Sequence, residues 1–431
     1  MKIKEPAITS NQLDQKRPSA RRGPAAGLGV RPGAFVRRGY DNSGAVSGKL
    51  QSPNVQRMRE GVRTQHGPRL PFPERWREVR VEGCSPMLRD HGDYRPGNTV
   101  AMFCCVIIAF FLRIEFTHAA GKLSRFEESQ PHMGTVARIV VYASSPEAAA
   151  TATRAAFERI RELDSLLSDY QGESELNRVS RESGGPPVKI SRDLFQVLSV
   201  AQNLSVKSDG AFDVTAGPLV RLWRRARRQR AVPEADRLAA ALDLTGFRRL
   251  SLDAKRHTAH LVKPGMLLDL GGIAKGYAAD EALKTLKRAG IERALVALGG
   301  DIAVSHPPPG KTGWTIEIAS LNLAGAPKPR ARLLENAAVS TSGDAEQFVE
   351  IASVRYSHIV DPRTGKALTG RRSVTVVAAQ GIDSDALATA ISVMDPKEGL
   401  KLIDATRSAA AFIVVQGNSG FQTWKSKRWK D

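Results

Sequence analysis

Leu268-Asp-Leu-Gly-Gly-Ile-Ala-Lys-Gly-Tyr-Ala-Ala-Asp280 runs from apolar residues through two glycines into a helix-forming stretch. Leu267 to Leu270 reads as a short buried strand, Gly271-Gly272 as the turn, and Ala274 to Ala289 as a helix capped by Gly290. A strand that breaks at glycines into a helix start exposes backbone N–H groups, and the helix dipole favours an anion there. Gly271 and Gly272 allow a ligand close to the backbone, and Lys275 adds a point charge suited to phosphate. The glycine spacing matches neither GxxxxGK[ST] nor GxGxxG. Ordinary strand-to-helix packing uses the same residues, so this stretch alone leaves both readings open.

Around it the chain alternates strands and helices from Gly121 onward. Val136 to Val141 is a β-branched run and reads as a strand. Ala148 to Leu167 places Ala156, Ile160, Leu163 and Leu167 on one helical stripe, and Leu194 to Leu204 is a second helix of that kind. Leu295 to Leu298 and Val374 to Ala379 read as strands, Pro307 to Gly310 as a loop, and Ser384 to Val393 as a helix. Arg221 to Arg230 packs six arginines into ten residues. On a helix that is a solvated face, or a surface for an acidic partner or a membrane.

The 431 residues suffice for one large domain or two ordinary ones, and 42% hydrophobic with 25% charged content excludes a wholly disordered or fibrous chain. Three cysteines make neither a disulfide scaffold nor a four-cysteine zinc site. The net charge of +20 suggests nucleic acid, but half of that excess lies in the first 100 residues. There Arg, Gly, Pro and Ser dominate without helical or strand period, so residues 1–98 are expected to be a disordered basic extension or the product of a start placed too far upstream. Thr99 to Leu112 then carries no charge, follows Arg89 and Arg95, and precedes Thr117-His118-Ala119. Cation, short apolar core and small-residue cleavage site define an export signal or N-terminal anchor over 99–120, with Met87 or Met102 as the more natural start. All three cysteines precede the expected cut, which suits an oxidising compartment. Arginines lie outside any recognisable nucleic-acid module, so no nucleic-acid partner is expected.

Three further clusters carry donor chemistry. Asp385 and Thr389 are four residues apart, one turn along a helix face, and hard oxygen donors so placed suit Mg2+. A capping Asp with a Thr bonding its own turn is the plainer reading of the same pair. His358 lies before the Asp361-Pro-Arg-Thr-Gly365 turn, at a strand end, where it can serve as a base or a structural residue. Ser208 to Asp213 is a loop by composition.

Taken in order, these stretches resemble one family. Met133-Gly-Thr, Leu167-Ser-Asp-Tyr170 with Ser174-Glu-Leu-Asn177, Asp209-Gly-Ala-Phe-Asp213 and Asp269-Leu-Gly-Gly-Ile-Ala-Lys275-Gly come first. Gly299-Gly-Asp301-Ile, Ser340-Thr-Ser-Gly-Asp344, Tyr356-Ser-His358-Ile-Val-Asp361-Pro and Asp385-Ala-Leu-Ala-Thr389 follow. From about Met133 to the end the chain resembles the ApbE family, the FAD:protein FMN transferases. The resemblance implies an α+β, T-fold-like domain over 130–431, with two lobes and the FAD cleft between them. It implies Mg2+-dependent transfer of FMN from FAD to a Thr or Ser hydroxyl of a flavoprotein of a membrane electron-transfer system. It also implies an exported enzyme, periplasmic or membrane-associated. By position, Met133, Tyr170, Ala211, Phe212, Asp213, Asp269, Lys275 and Ile359 resemble FAD contacts. Asp385, Thr389 and the carbonyl of Gly272 resemble the Mg2+ ligands, and His358 resembles the base. Relatives often have Ala at the Gly272 position, a difference expected not to affect a carbonyl ligand. An FAD pyrophosphatase using the same pocket with water, or a non-catalytic flavin-binding protein, are the alternatives.

Overall fold

The β-branched run at Val136 and the apolar run at Ala294 have the two burial patterns that a central sheet requires. The computed structural model describes residues 8–9, 122–318, 321, 325–327, 330–343, 347–417 and 419–430. The expected extension over 1–98, apart from Ile8–Thr9, the 99–120 signal and Asp344 lie outside the described residues. No helix among the described residues is long and apolar enough to cross a membrane.

Strands β1 (Ser124–His132), β2 (Thr135–Ala143), β3 (Ala294–Leu298), β4 (Asp301–Val304) and β5 (Ala337–Gly343) belong to one eight-stranded sheet. A further strand, β6 (Val354–Val360), belongs to a three-stranded sheet with Phe348–Ile351 and Ala367–Thr369. The large sheet is completed by β7 (Arg372–Ala378), β8 (Ala410–Gly417) and β9 (Gly420–Lys425), in the order β9-β8-β7-β5-β4-β3-β2-β1. Every neighbouring pair in it is antiparallel. Ala137, Ile139 and Val141 of β2 join Ala294, Val296 and Leu298 of β3 in the main core, while Val140, Leu295 and Ala297 enter a second core on the opposite face. Alternate side chains of a strand point to opposite faces, so a continuous apolar strand is one covered on both.

Four helices frame the working part of the fold: α1 (Pro146–Leu167), α2 (Gly217–Gln229), α3 (Ala274–Arg288) and α4 (Gly381–Val393). Ser145 caps α1 by accepting from Ala148 N–H, and the expected stripe of Ala156, Ile160, Leu163 and Leu167 is buried. The mixed helices and antiparallel sheets make an α+β fold, as expected.

Two boundaries differ from the sequence reading. Leu267 to Leu270 is extended but not a ladder strand. Leu267 makes a single bridge to Ala216, Leu268 N–H donates to Ser180 Oγ and Asp269 N–H to the Val214 carbonyl. Its backbone groups are satisfied by three different neighbours, so no strand has to pair with it. Helix α4 begins at Gly381 rather than Ser384, because Asp280 on α3 accepts from the N–H groups of Gly381 and Ile382 at 2.7 and 3.0 Å. Those donors would otherwise be orphans of the first turn.

Helices α3 and α4 meet at two glycines. A Cβ on Gly276 would sit 2.0 Å from the Gly381 carbonyl oxygen, and one on Gly381 would sit 2.4 Å from the Gly276 oxygen. The two backbones are therefore in direct contact. Gly276→Ala is expected to destabilise the protein by more than the ~1–3 kcal/mol usual for overpacking, because backbone and not a side-chain tip must move. Chemical denaturation measures this. Asp280→Ala should cost about 2–4 kcal/mol through two buried donors left unpaired. Burial raises the Asp280 carboxyl from 3.8 to about 6. The folded state thus binds that proton more tightly than the unfolded state, so this group's stabilisation is present below about pH 4 and is lost as pH rises to 6. In urea titrations the wild type should lose stability relative to Asp280→Asn as pH rises through that window. A constant difference would refute the assignment.

Candidate active site

A cleft of about 400 Å³ opens where these elements converge. Met133, Tyr170, Ala211, Phe212, Asp213, Asp269, Gly272, Lys275, His358, Ile359, Asp385 and Thr389 all line it. The twelve residues singled out from the sequence, spread over more than 250 positions, thus share one cavity.

At one end lie the residues expected to hold metal. Asp385, on α4, is 2% exposed, and its Oδ2 accepts from Gly276 N–H at 3.0 Å. It therefore caps the first turn of α3, while Asp280 of α3 caps α4. Burial, then the charge of Asp301, hold the Asp385 carboxyl well above the usual carboxylate range, and Lys275 pulls it down. The Lys275 ammonium forms an ion pair with Asp301, which is 4% exposed at the start of β4. One turn beyond Asp385, Thr389 Oγ1 lies 3.5 Å from Ser342 Oγ. A Cβ on Gly272 would lie 2.8 Å from Thr389 Oγ1, so the backbone of the glycine turn presses against that hydroxyl. The side chain at position 272 is thus sterically coupled to Thr389, and an alanine there would displace it.

The opposite wall is α2. Ala216, Val220, Arg224 and Arg227, one helical stripe, all line the cleft. Arg224 reaches Asp269 at 2.9 Å, pairs with Asp169, and lies 4.5 Å over the ring of Tyr170. Tyr170 itself is 78% exposed, an aromatic face standing at the cleft. Asp269 also accepts from Gly271 N–H at 2.9 Å, and burial raises its carboxyl. Asp213 accepts from Thr215 N–H, Thr215 Oγ1 and Phe247 N–H, each at 2.7 Å. Both carboxylates therefore shape the wall through bonds to the protein itself. Met133 sits in a two-residue hairpin turn with φ of 50°, followed by Gly134 at 72°. The side chain of Asp164 holds this left-handed Met in place by accepting its N–H at 3.0 Å.

Ala211, Ile359 and Val393 form a small apolar cluster at the cleft. Beside it, His358 is carried by β6, whose Tyr356 ring lies 5.2 Å from Trp223 of α2. His358 Nδ1 lies 3.2 Å from the Gln347 carbonyl. A carbonyl only accepts, so in the neutral ring Nδ1 carries the hydrogen and the lone pair resides on Nε2. That tautomer is the one able to take a proton at Nε2.

Arg224, Arg227 and Asp169 were not singled out as site residues from the sequence, and Asp301 was quoted only as part of a motif. Helical spacing from Ala216 carried the missing signal, obscured by four outward arginines in the same run. Asp301 is found only through Lys275, its partner across the glycine turn.

A family model described as the ApbE family matches residues 133–413. FAD:protein FMN transferase of Treponema pallidum is 31% identical over 313 residues, covering 69% of this chain and 86% of that protein. The Vibrio cholerae FAD:protein FMN transferase is 31% identical over 307 residues, covering 70% and 91%. Among solved structures, the flavin transferase ApbE from Vibrio cholerae superposes with a TM-score of 0.63 at 30% identity, over 71% of this chain and 98% of that one. The apo flavinyl transferase ApbE of Pseudomonas stutzeri gives the same score and identity over 71% and 95%. With the matched region containing every wall of the cleft, the chain belongs to the ApbE family.

Proposed function

We propose that this protein transfers FMN from FAD to a Thr or Ser hydroxyl of a target flavoprotein, releasing AMP, with Mg2+ as its cofactor. The observation that carries this reading is the meeting of an acidic end, an apolar cluster and a histidine in one cleft. The apolar cluster suits a flavin ring, and Tyr170 offers an aromatic face.

The charge of the cleft supports a divalent cation. Asp169, Asp213, Asp269, Asp301 and Asp385 line it, against Arg224, Arg227 and Lys275. A cleft with more carboxylates than fixed cations repels a dinucleotide carrying a diphosphate, and a divalent cation removes that repulsion. Asp385, Thr389 and the Gly272 carbonyl supply hard oxygen donors, with Asp301 adjoining, and this set fits Mg2+. Bound there, Mg2+ would neutralise the diphosphate and the charge that builds on departing AMP.

The chain's own residues do the rest. Glycine turn and α3 start hold the diphosphate side of the substrate, and the Lys275–Asp301 pair fixes the position of charge beside it. His358 Nε2 takes the proton of the acceptor hydroxyl as its oxygen attacks the FMN phosphorus. The phosphorus–oxygen bond to AMP breaks, and AMP leaves with that electron pair. Orientation and charge stabilisation supply most of the acceleration in such a displacement. The uncharged stretch Thr99 to Leu112 supports an exported enzyme, periplasmic or membrane-associated, acting on a flavoprotein of a membrane electron-transfer system.

Mixing enzyme, FAD, Mg2+ and an acceptor flavoprotein should yield covalently bound flavin, seen by mass spectrometry as an added FMN. Release of FMN and AMP to solution alone would favour hydrolysis instead. Asp385→Asn, chosen to keep an acceptor for Gly276 N–H, should lower transfer by ~100-fold or more while the thermal unfolding transition persists. Full activity at ordinary Mg2+ would remove Asp385 from the metal site. His358→Ala should lower the turnover by ~100–10,000-fold, the range for a general base, with FAD affinity kept. An unchanged turnover would exclude His358 as the base.

A further inference from the structure

The arginine run on α2 is only partly explained by the cleft's known partners. Arg224 is neutralised by Asp169 and Asp269, and Arg221 lies 3.4 Å from the Asn177 side-chain oxygen. Arg227, the next residue of the stripe facing the cleft, is half-buried, and no carboxylate among the described residues pairs with it. From Val214 to Pro233 the chain has no Asp or Glu that could do so locally. Burial, followed by the charge of Arg224, lowers its proton affinity, which is the mark of a cation without compensation. A guanidinium withdrawn from water without a counter-ion is costly by itself and favourable once paired with an anion. The other cleft cations, Arg224 and Lys275, already spend their charge on carboxylates. Arg225 and Arg228 of the same helix are not among the cleft's lining residues.

We infer that Arg227 is a phosphate contact, a guanidinium fork that takes the diphosphate of the bound dinucleotide. This rests on the proposed use of FAD as substrate. The planar fork suits two phosphate oxygens at once, which an ammonium in its place would not match.

Titration of flavin fluorescence with FAD and with riboflavin, both in Mg2+, tests the contact in Arg227→Gln, Arg227→Lys and Arg225→Gln. Arg227→Gln should weaken FAD by ~10-fold or more, the loss of a charge-assisted bond, and leave riboflavin within about twofold. Arg227→Lys should recover part of the FAD affinity, and Arg225→Gln should match the wild type. Unchanged FAD affinity in Arg227→Gln would overturn the inference. So would an equal loss for riboflavin, which marks a wall that has lost its shape, or an equal loss in Arg225→Gln, which marks a diffuse field. Failure of the wild type itself to bind FAD would defeat the parent reading and this inference with it, whereas the outcomes above overturn the inference and leave that reading standing.

Discussion

Two helices that touch backbone to backbone hold this molecule's chemistry in place. At Gly276 and Gly381 there is no room for a single Cβ. The closeness lets each helix supply a carboxylate to the other's first turn: Asp385 to Gly276, and Asp280 to Gly381 and Ile382. Each N-terminus gains a partner for its unpaired donors and a negative charge near its dipole. One of the two carboxylates also faces the cleft. Asp385, the carboxylate proposed to hold the metal, is thus also one that ties the two helices together through its bond to Gly276 N–H.

Electrostatics then divides the cleft into two ends. At one, the Lys275–Asp301 pair stands beside Asp385; at the other, Arg224 stands between Asp169 and Asp269. Most fixed cations are already matched to carboxylates. What such a site gains from a diphosphate ligand must come from an added cation or from an unmatched one. The proposed Mg2+ would answer the first requirement and the inferred contact at Arg227 the second. The apolar cluster of Ala211, Ile359 and Val393 carries no charge and takes no part in that balance.

Much of the fold was legible along the chain. The β-branched run at Val136, the stripe from Ala156 to Leu167 and the helix after Gly271-Gly272 all formed within a few residues of their expected bounds. The errors fall where tertiary partners replace local ones. Leu267 to Leu270 is strand-like in composition, yet its hydrogen bonds go to Ser180, Val214 and Ala216. Helix α4 gains an extra turn because a carboxylate from α3 is waiting for it. In the site, motif order sufficed to name the residues of the cleft, whereas Arg224 and Arg227 were hidden in a run that read as a solvated face.

Sequence by itself determined the family, the α+β composition, and the identity of the oxygen, nitrogen and ammonium groups available for chemistry. The family follows from motif order along the chain; the rest are properties of residue type and of spacing within one helix or turn, where a period of 3.6 or 2 already places side chains. Only the tertiary structure decided which of those groups meet. The pairings of Asp385 with Gly276, Lys275 with Asp301, and Arg224 with Asp169 and Asp269 join residues 26 to 109 positions apart. Such contacts are set by how helices cross and sheets close, and no local period encodes them. The tautomer of His358 likewise depends on the Gln347 carbonyl, set opposite it by the register in which Phe348–Ile351 pairs with β6.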